Sequence, residues 1–566
     1  MSSKQYSALS ISFHFISFLT SVSAIEVMDA TIEAANGWLK QCLNEHESCR
    51  KKAHLATMWA HGSIHIVRDL GHDDRMPRRL LTFDADSVKL VEIGKTTEDI
   101  KYFALSHRWG PHETFKTTEA TIDGFKSGFP IFNLPKTFRD AVEVTRACGY
   151  KHLWIDSICI IQDNPNDWKE ESPRMAIVYG NAVCTIMAMD AEDSDSGLFC
   201  HSTSKISGRH SSGTLNSRAW VVQERMISSR TLAYTENSVH WECREYDATQ
   251  KEPNLIRRLL KDGSDKLPTH PKEVFGFLRD FRINGESGDS ASDLHEFMDF
   301  DDGLIGERDS YESFLKTWWQ FLELYTPCNL SHEADKFLAM NGVAAVTQRH
   351  TRLRNTWGLW RNFLEHELLW SIDPQGPPSS RPKRWRAPFW SWASTDGGKV
   401  VNNYYKRLPA LPRLMIKPEI QVPVNTSFDE RLPIPAWTFM NYGMVLKGDL
   451  RTADLTVTLD EGKNRIYTIK LESTGRWSES EEHEFRPDAP MQLRTTSVQC
   501  FLVLHYDKGE LGGDYYVDVR LVLLSVGGPE DDRIMKRVGY LETRYKEQRD
   551  WDGIYEDLWW KHVEFR

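Results

Sequence analysis

The chain begins with apolar residues at helical spacing, Ile25, Met28, Ile32, Trp38, Leu39 and Leu43, which predicts helix over residues 25–70. Pro77 then marks a change of period. Residues 78–92, RRLLTFDADSVKLVE, read as two strands about Asp84-Ala85-Asp86, and 102–107, YFALSH, as a third that stops at Trp109-Gly110-Pro111. A helix begins near Pro135 and carries Phe138, Ala141, Val142, Thr145 and Cys148 along one face until Gly149 ends it. Residues 153–161, LWIDSICII, are apolar apart from Asp156 and Ser157, the pattern of a strand covered on both sides. A second helix is predicted over about 172–182, with Ser172 as cap, Pro173 in the first turn and a stripe of Met175, Val178, Tyr179 and Ala182. Residues 183–189, VCTIMAM, form another buried strand ahead of an acidic loop, 190–197. Strand, helix, strand with short connections implies parallel pairing and right-handed crossovers, an α/β fold.

Further along, residues 311–325 read as an amphipathic helix. Trp357, Leu359, Trp360, Phe363, Leu364, Leu368 and Leu369 predict another helical stripe. These aromatic stripes, with Trp390 and Trp392, are expected to fill a core rather than a partner surface. From about residue 400 the pattern is β, a small sandwich or barrel. Four segments follow: a leader and helical stretch over 1–75, the α/β domain over 76–250, a helical, Trp-rich extension over 251–398, and a β-rich region over 399–566.

At 566 residues the chain is long enough for several independent cores. A formal net charge of −11 argues against a nucleic-acid partner held by phosphate contacts. The one short basic cluster, Lys383, Arg384 and Arg386, is interleaved by Trp385 and Pro388 and reads as a solvated loop. The nine cysteines are odd in number and widely spaced, which favours a reducing compartment and a cytoplasmic location. Residues 8–20, mostly apolar behind Lys4, resemble a weak signal peptide ending near Val22-Ser23-Ala24 and leave secretion open; they are short for a membrane span. Cys42, His46 and Cys49 are metal-type residues close together, yet tetrahedral zinc needs a fourth ligand. His54 and His61 are at hand but no second paired motif follows, so no metal is predicted.

Candidate chemistry gathers at the strand ends. Asp156 must stand at the end of its strand or have a partner, because an unpaired buried carboxylate costs several kcal/mol. Arg218 and Arg225 are candidate partners. Ser106 and Arg108 follow the first core strand, where they either contact an anionic ligand or hold a turn. Trp220, Gln223 and Glu224 share helical spacing, so Gln223 or Glu224 either reaches the same mouth or lies on a solvated or ion-paired face. Glu171 is either a catalytic carboxylate or a helix-start acid favoured by the dipole. The chain has no glycine-rich phosphate loop and no G-x-S-x-G elbow, and Cys159 reads as a core thiol.

Several segments together carry a family resemblance: YFALSHRWG (102–110), LPKTFRDAVEVTRACGYKHLWIDSICIIQD (134–163), DWKEESPRMAIVYGNAVCTIMA (167–188), SGLF (196–199) and SRAWVVQERMISSRTLAYTENSVHWEC (217–243). In order and spacing they resemble the fungal heterokaryon incompatibility (HET) domain, tightly over 77–243 and more loosely through ADKFLAMNGVA, TWGLWRNFLEHELLW and APFWSWASTDG. The resemblance implies a part in non-self recognition, with the HET domain triggering cell death and a protein partner or homologous allele product as the trigger. It also implies a TIR-like, flavodoxin-like parallel sheet and, by analogy with TIR domains that hydrolyse NAD, an assembly-activated homo-oligomer with NAD as candidate substrate and no bound cofactor. On that reading Glu171, which matches the motif's glutamate three residues after Trp168, and Asp156 are the catalytic candidates. Ser106, Arg108, Gln223, Glu224 and Arg225 are the ligand-binding candidates.

Overall fold

The computed structural model describes residues 24–50, 56–60, 63–67, 76–93, 100–110, 115–199, 214–236, 238–254, 256–257, 268, 270–281, 308–351, 353, 355–360 and 363–402. Of the last region it describes 413–414, 417–421, 443–448, 450–460, 465–471, 482–507, 516–525, 534–545 and 561–565. The signal-peptide-like stretch, His54 and His61 lie outside the described residues. Among the described residues no helix is long and apolar enough to cross a membrane. The chain divides into two compact units, one of residues 1–54, 69–216 and 227–260, the other of 55–68, 217–226 and 261–566.

The first unit is built on one ten-stranded mixed sheet. In chain order its elements are helix α1 (Ala24–Glu45), strands β1 (Arg79–Phe83), β2 (Ser87–Glu92), β3 (Phe103–Ser106) and β4 (Phe129–Pro130), helix α2 (Lys136–Ala147) and strand β5 (His152–Ile155). Helices α3 (Pro165–Glu171) and α4 (Met175–Asn181) then lead to β6 (Thr185–Ala188), β7 (Arg230–Thr235), β8 (Ser238–Cys243), β9 (Tyr246–Thr249) and β10 (Ile256–Arg257). The sheet order is β10-β9-β8-β7-β6-β3-β5-β1-β2-β4. Its centre, β5-β3-β6-β7, is parallel, and every other pairing is antiparallel.

The centre obeys the rule for parallel sheets. Every residue of β3 and β6 is buried, as are Leu153, Trp154 and Ile155 of β5, so helices must cover both faces. Tyr102 and His107, at either end of β3, are an odd number of residues apart and face opposite ways. The Tyr102 hydroxyl donates to the Val178 carbonyl of α4 at 2.7 Å, and the His107 ring meets the Phe138 ring of α2 edge-on at 4.9 Å. Helix α2 is as its spacing predicts: Phe138, Ala141, Val142 and Thr145 are buried, Pro135 caps it, and Gly149 takes φ +86° where the chain turns back to β5.

Three predicted elements before residue 183 differ. The helix foreseen over 25–70 stops at Glu45, and Ala56–Ala60 pairs antiparallel with Ser63–Val67 as a hairpin of the second unit. Thr57, Ile64, Ile66 and Val67 are β-branched, and Ile64 and Ile66 alternate with polar neighbours, which suits a strand. The strand foreseen over 153–161 ends at Ile155, and Asp156–Cys159 is a single helical turn. The helix foreseen over 172–182 begins earlier, as α3, and passes through a 3-10 turn, Ser172–Arg174, into α4. Glu171 therefore closes a helix instead of preceding one.

In the second unit, helices Arg308–Tyr325 and Leu338–Thr351 are as patterned, and Trp318, Trp319, Trp357, Trp360, Trp390 and Trp392 are all buried. The stripe from Trp357 to Leu369 is not one helix. It folds as short strands, Asn355–Thr356 and Leu359–Trp360, and a single turn, Leu364–Glu367. Gly358, at φ +85°, lies so close to the Trp392 indole that a Cβ there would fall 2.7 Å from the ring. Arg386 is drawn in from its expected solvated loop, donating to the carbonyls of Glu333, Ala393 and Thr395 and pairing with Asp396 at 2.7 Å. The region after residue 400 is a ten-stranded, mainly antiparallel sheet.

Phe138 is fully buried between β3 and the aromatic cluster around Phe115, whose ring lies 6.4 Å away. Phe138→Ala is expected to lower unfolding stability by about 3–5 kcal/mol, measured by denaturant titration of the full chain.

Candidate functional site

The carboxyl ends of parallel strands are where an α/β sheet offers a crevice. Here the loop after β3, Ser106-His107-Arg108-Trp109-Gly110, meets the turn after β5. Asp156 ends β5 and holds that meeting point. Its Oδ2 accepts from Trp109 Nε1 at 2.9 Å, its Oδ1 accepts from the Ser157 amide at 2.7 Å, and His107 Nδ1 stands 3.7 Å from Oδ1. Among the described residues, an indole and a backbone amide supply the hydrogen bonds that this carboxylate needs. The side chain keeps 21% of its exposure, so one edge of this carboxylate still meets solvent.

The surrounding turn is fixed by backbone bonds. The Thr117 amide donates to Ser157 O at 2.9 Å, the Gln162 amide to Thr117 O at 2.9 Å, and Gln162 Nε2 to Asp156 O at 3.0 Å. The acidic loop after β6 closes from the other side. Asp193 Oδ1 accepts from the Asp195 and Ser196 amides, and the Asp193 carbonyl accepts from Thr137 Oγ1 at 3.2 Å at the start of α2. Gly110, at φ +84°, lets this loop approach: a Cβ there would lie 2.4 Å from the Asp193 Cβ. Ser106 is buried and its hydroxyl has no hydrogen-bond partner among the described residues, whereas Arg108 is partly exposed. Ser106, Arg108 and Asp156 thus share one mouth.

Glu171 does not join them. It is 2% exposed and sits among arginines, with Arg78 Nε 3.6 Å from its Oε1. Asp167 ties the same cluster, pairing with Arg79 and accepting from the Ile161 amide at 2.8 Å, while Arg79 Nε donates to Cys159 O at 2.7 Å. Burial raises the Glu171 carboxyl above the usual range, a shift moderated by Arg174, Arg79 and Arg78. Cys159 is fully buried and its thiol is pushed up to about 12 by desolvation, in keeping with a core thiol.

Gln223, Glu224 and Arg225 belong to the second unit and are engaged there. Gln223 Oε1 accepts from the Gly342 amide at 2.7 Å, Glu224 is buried, and the Arg225 carbonyl accepts from Lys272 Nζ at 2.8 Å. The sequence marks His107 only as a histidine flanking a strand, without evident ligand partners, and Trp109 only as part of a strand stop. The polar tail of the strand YFALSHRW was the available signal, since a strand that ends in a crevice carries its ligand-facing groups just past its last apolar residue.

Two outcomes follow from this geometry. Gly110→Ala is expected to lower stability by about 1–3 kcal/mol in thermal or denaturant unfolding, more than Gly149→Ala, which has the same backbone sign but open space around it. For Glu171 the raised value means that the folded state binds its proton more tightly than the unfolded one. The natural chain should therefore gain stability relative to Glu171→Gln as pH falls from neutral through the folded-state value towards the ordinary glutamate value. Parallel pH–stability curves for the two proteins would contradict it.

No curated protein matches the chain, and no solved structure does. Residues 102–212, which run from β3 past β6 and contain the whole mouth, match the family model described as Heterokaryon incompatibility protein (HET). The chain is therefore a protein with a heterokaryon incompatibility-type domain, which implies involvement in heterokaryon incompatibility in the broad sense.

Proposed function

We propose that this chain acts in fungal non-self recognition as a cell-death signalling protein, with the HET domain as the death-inducing part and a protein partner or homologous allele product as its trigger. The observation that carries this reading is the coincidence of the family match over 102–212 with a parallel core whose loops converge on one polar mouth. Supporting a TIR-like, flavodoxin-like core is the strand order. Taken in chain order the parallel strands lie 2-1-3-4 across the sheet, the order of flavodoxin-like doubly wound folds, with the switch point beside the first strand, β3. The second, β-rich part of the chain takes the sensing role.

A second reading, hydrolysis of NAD in an assembled homo-oligomer, is favoured by Asp156. A carboxylate with one edge open to solvent beside an indole at the switch point suits stabilisation of a cation-like ribose, with Ser106 and Arg108 near at hand. On this reading the catalytic weight moves from Glu171 to Asp156, since Glu171 is enclosed by Arg78 and helix backbone.

The test is inducible expression of the full chain in a filamentous fungus, scored for cell death, beside purified protein incubated with NAD under forced oligomerisation and followed for nicotinamide release. Death is expected with the natural chain and to be lost with Gly110→Ala. Absence of death at confirmed protein levels, with or without an incompatible partner, defeats the signalling proposal. Nicotinamide release abolished by Asp156→Asn, in protein of unchanged melting temperature, supports the hydrolase; no release in any assembly state removes that second reading and leaves the first standing.

A further inference from the structure

Away from the mouth, the fold completes a ligand set that the sequence leaves one short. Cys42 and His46 are four residues apart at the end of α1, and Cys49 follows in a 3-10 turn, Ser48–Arg50. Cys243 is the last residue of β8, nearly two hundred positions later. All four are buried, and their donor atoms lie within 4.8 Å of one another, the one such group among the described residues. Tetrahedral zinc with sulfur at ~2.3 Å and nitrogen at ~2.0–2.1 Å places its ligand atoms ~3.5–3.8 Å apart. The His46 Nδ1 to Cys243 Sγ separation is 3.4 Å.

We propose that Cys42, His46, Cys49 and Cys243 bind a single zinc ion that fastens helix α1 to strand β8. Four protein donors fill a tetrahedral shell and leave no open position, so the site is structural.

Its surroundings supply an independent argument. Arg230, at the start of β7, is 6% exposed, and among the described residues its guanidinium meets no carboxylate. It donates instead to Cys42 Sγ at 3.2 Å, to Cys49 O at 3.0 Å and to Val183 O at 3.2 Å. A buried cation without an anion is costly. Three thiolates and one imidazole around a divalent ion carry a net charge of −1, which is the counter-charge Arg230 lacks. The Tyr246 amide donates to Cys243 Sγ at 3.2 Å, the kind of outer-shell bond that steadies a thiolate, and the Tyr246 ring stacks on His46 at 4.4 Å. The backbone is held independently of the ion, Ser48 N donating to Glu245 Oε1 at 2.8 Å and Arg244 to Ser48 O at 3.0 Å, so the ligands are prearranged.

The experiment is elemental analysis of the full chain purified under reducing conditions, followed by replacement of the ion with cobalt. About one zinc per chain is expected, with thiolate-to-cobalt charge-transfer bands and the intense visible bands of a tetrahedral site. Cys49→Ser and Cys243→Ser are expected to bring zinc content down at least fivefold, whereas Cys184→Ser, a buried cysteine of the same unit outside the cluster, keeps it. Should the serine variants not fold, Cys243→His answers the question instead, retaining the ion with a cobalt spectrum of fewer sulfur ligands. On the natural chain, a mercurial that blocks thiols should release the zinc to a coloured chelator. Folded protein that carries no zinc and takes up no cobalt after full reduction overturns the proposal, as does undiminished zinc in both serine variants. A disulfide among the three thiols that persists in reductant also overturns it.

Discussion

The first unit depends on the burial of four parallel strands, β5-β3-β6-β7, on both faces. A parallel sheet has no face to give to water, so each crossover must return a helix across it, and each loop at the carboxyl ends must turn at the same edge. That requirement brings Ser106, His107, Trp109 and Asp156 to one mouth, where the Trp109 to Asp156 hydrogen bond then fixes them. It also explains why β3, only four residues long, has no exposed residue: it is central, with a helix on either side.

Charges met by this apolar centre are handled in three ways. Asp156 stands where its strand stops, so one edge reaches solvent while the other accepts from Trp109 and its own following amide. Glu171 is fully enclosed and relies on Arg78 and neighbouring arginines, at the cost of a raised proton affinity. Arg230 is enclosed with no carboxylate beside it among the described residues and turns to sulfur and carbonyl groups. The differences follow from position: a strand terminus has water nearby, a helix flank has charged side chains within reach, and at the start of β7 the guanidinium finds a cysteine sulfur and two carbonyls.

Much of the HET-type domain is legible in the sequence. The stripe of α2, its Pro and Gly boundaries, and the runs of β3 and β6 are local properties, set by side-chain period and by which residues tolerate a turn. The mouth was half legible: Asp156 stood out as a charge in an apolar run, but Trp109 read only as a strand stop. Helical spacing offered Gln223 or Glu224 either the mouth or an ion-paired face, and spacing along one helix does not name the groups that its polar side chains meet, such as the Gly342 amide bound by Gln223. The stripe from Trp357 to Leu369 failed as a helix because its described residues other than Phe363 are buried, so period lost its meaning and Gly358 decided the path.

By itself, then, the sequence determined the α/β alternation, the family and the identity of the acid at the end of β5. These rest on interactions within a few residues, where period and turn chemistry suffice. Only the tertiary structure decided which strand ends meet, that Glu171 is walled off from Asp156, and that Cys243 closes the set begun by Cys42, His46 and Cys49. Those depend on sheet order, and sheet order is fixed by burying faces contributed by segments up to two hundred residues apart, which no local pattern records.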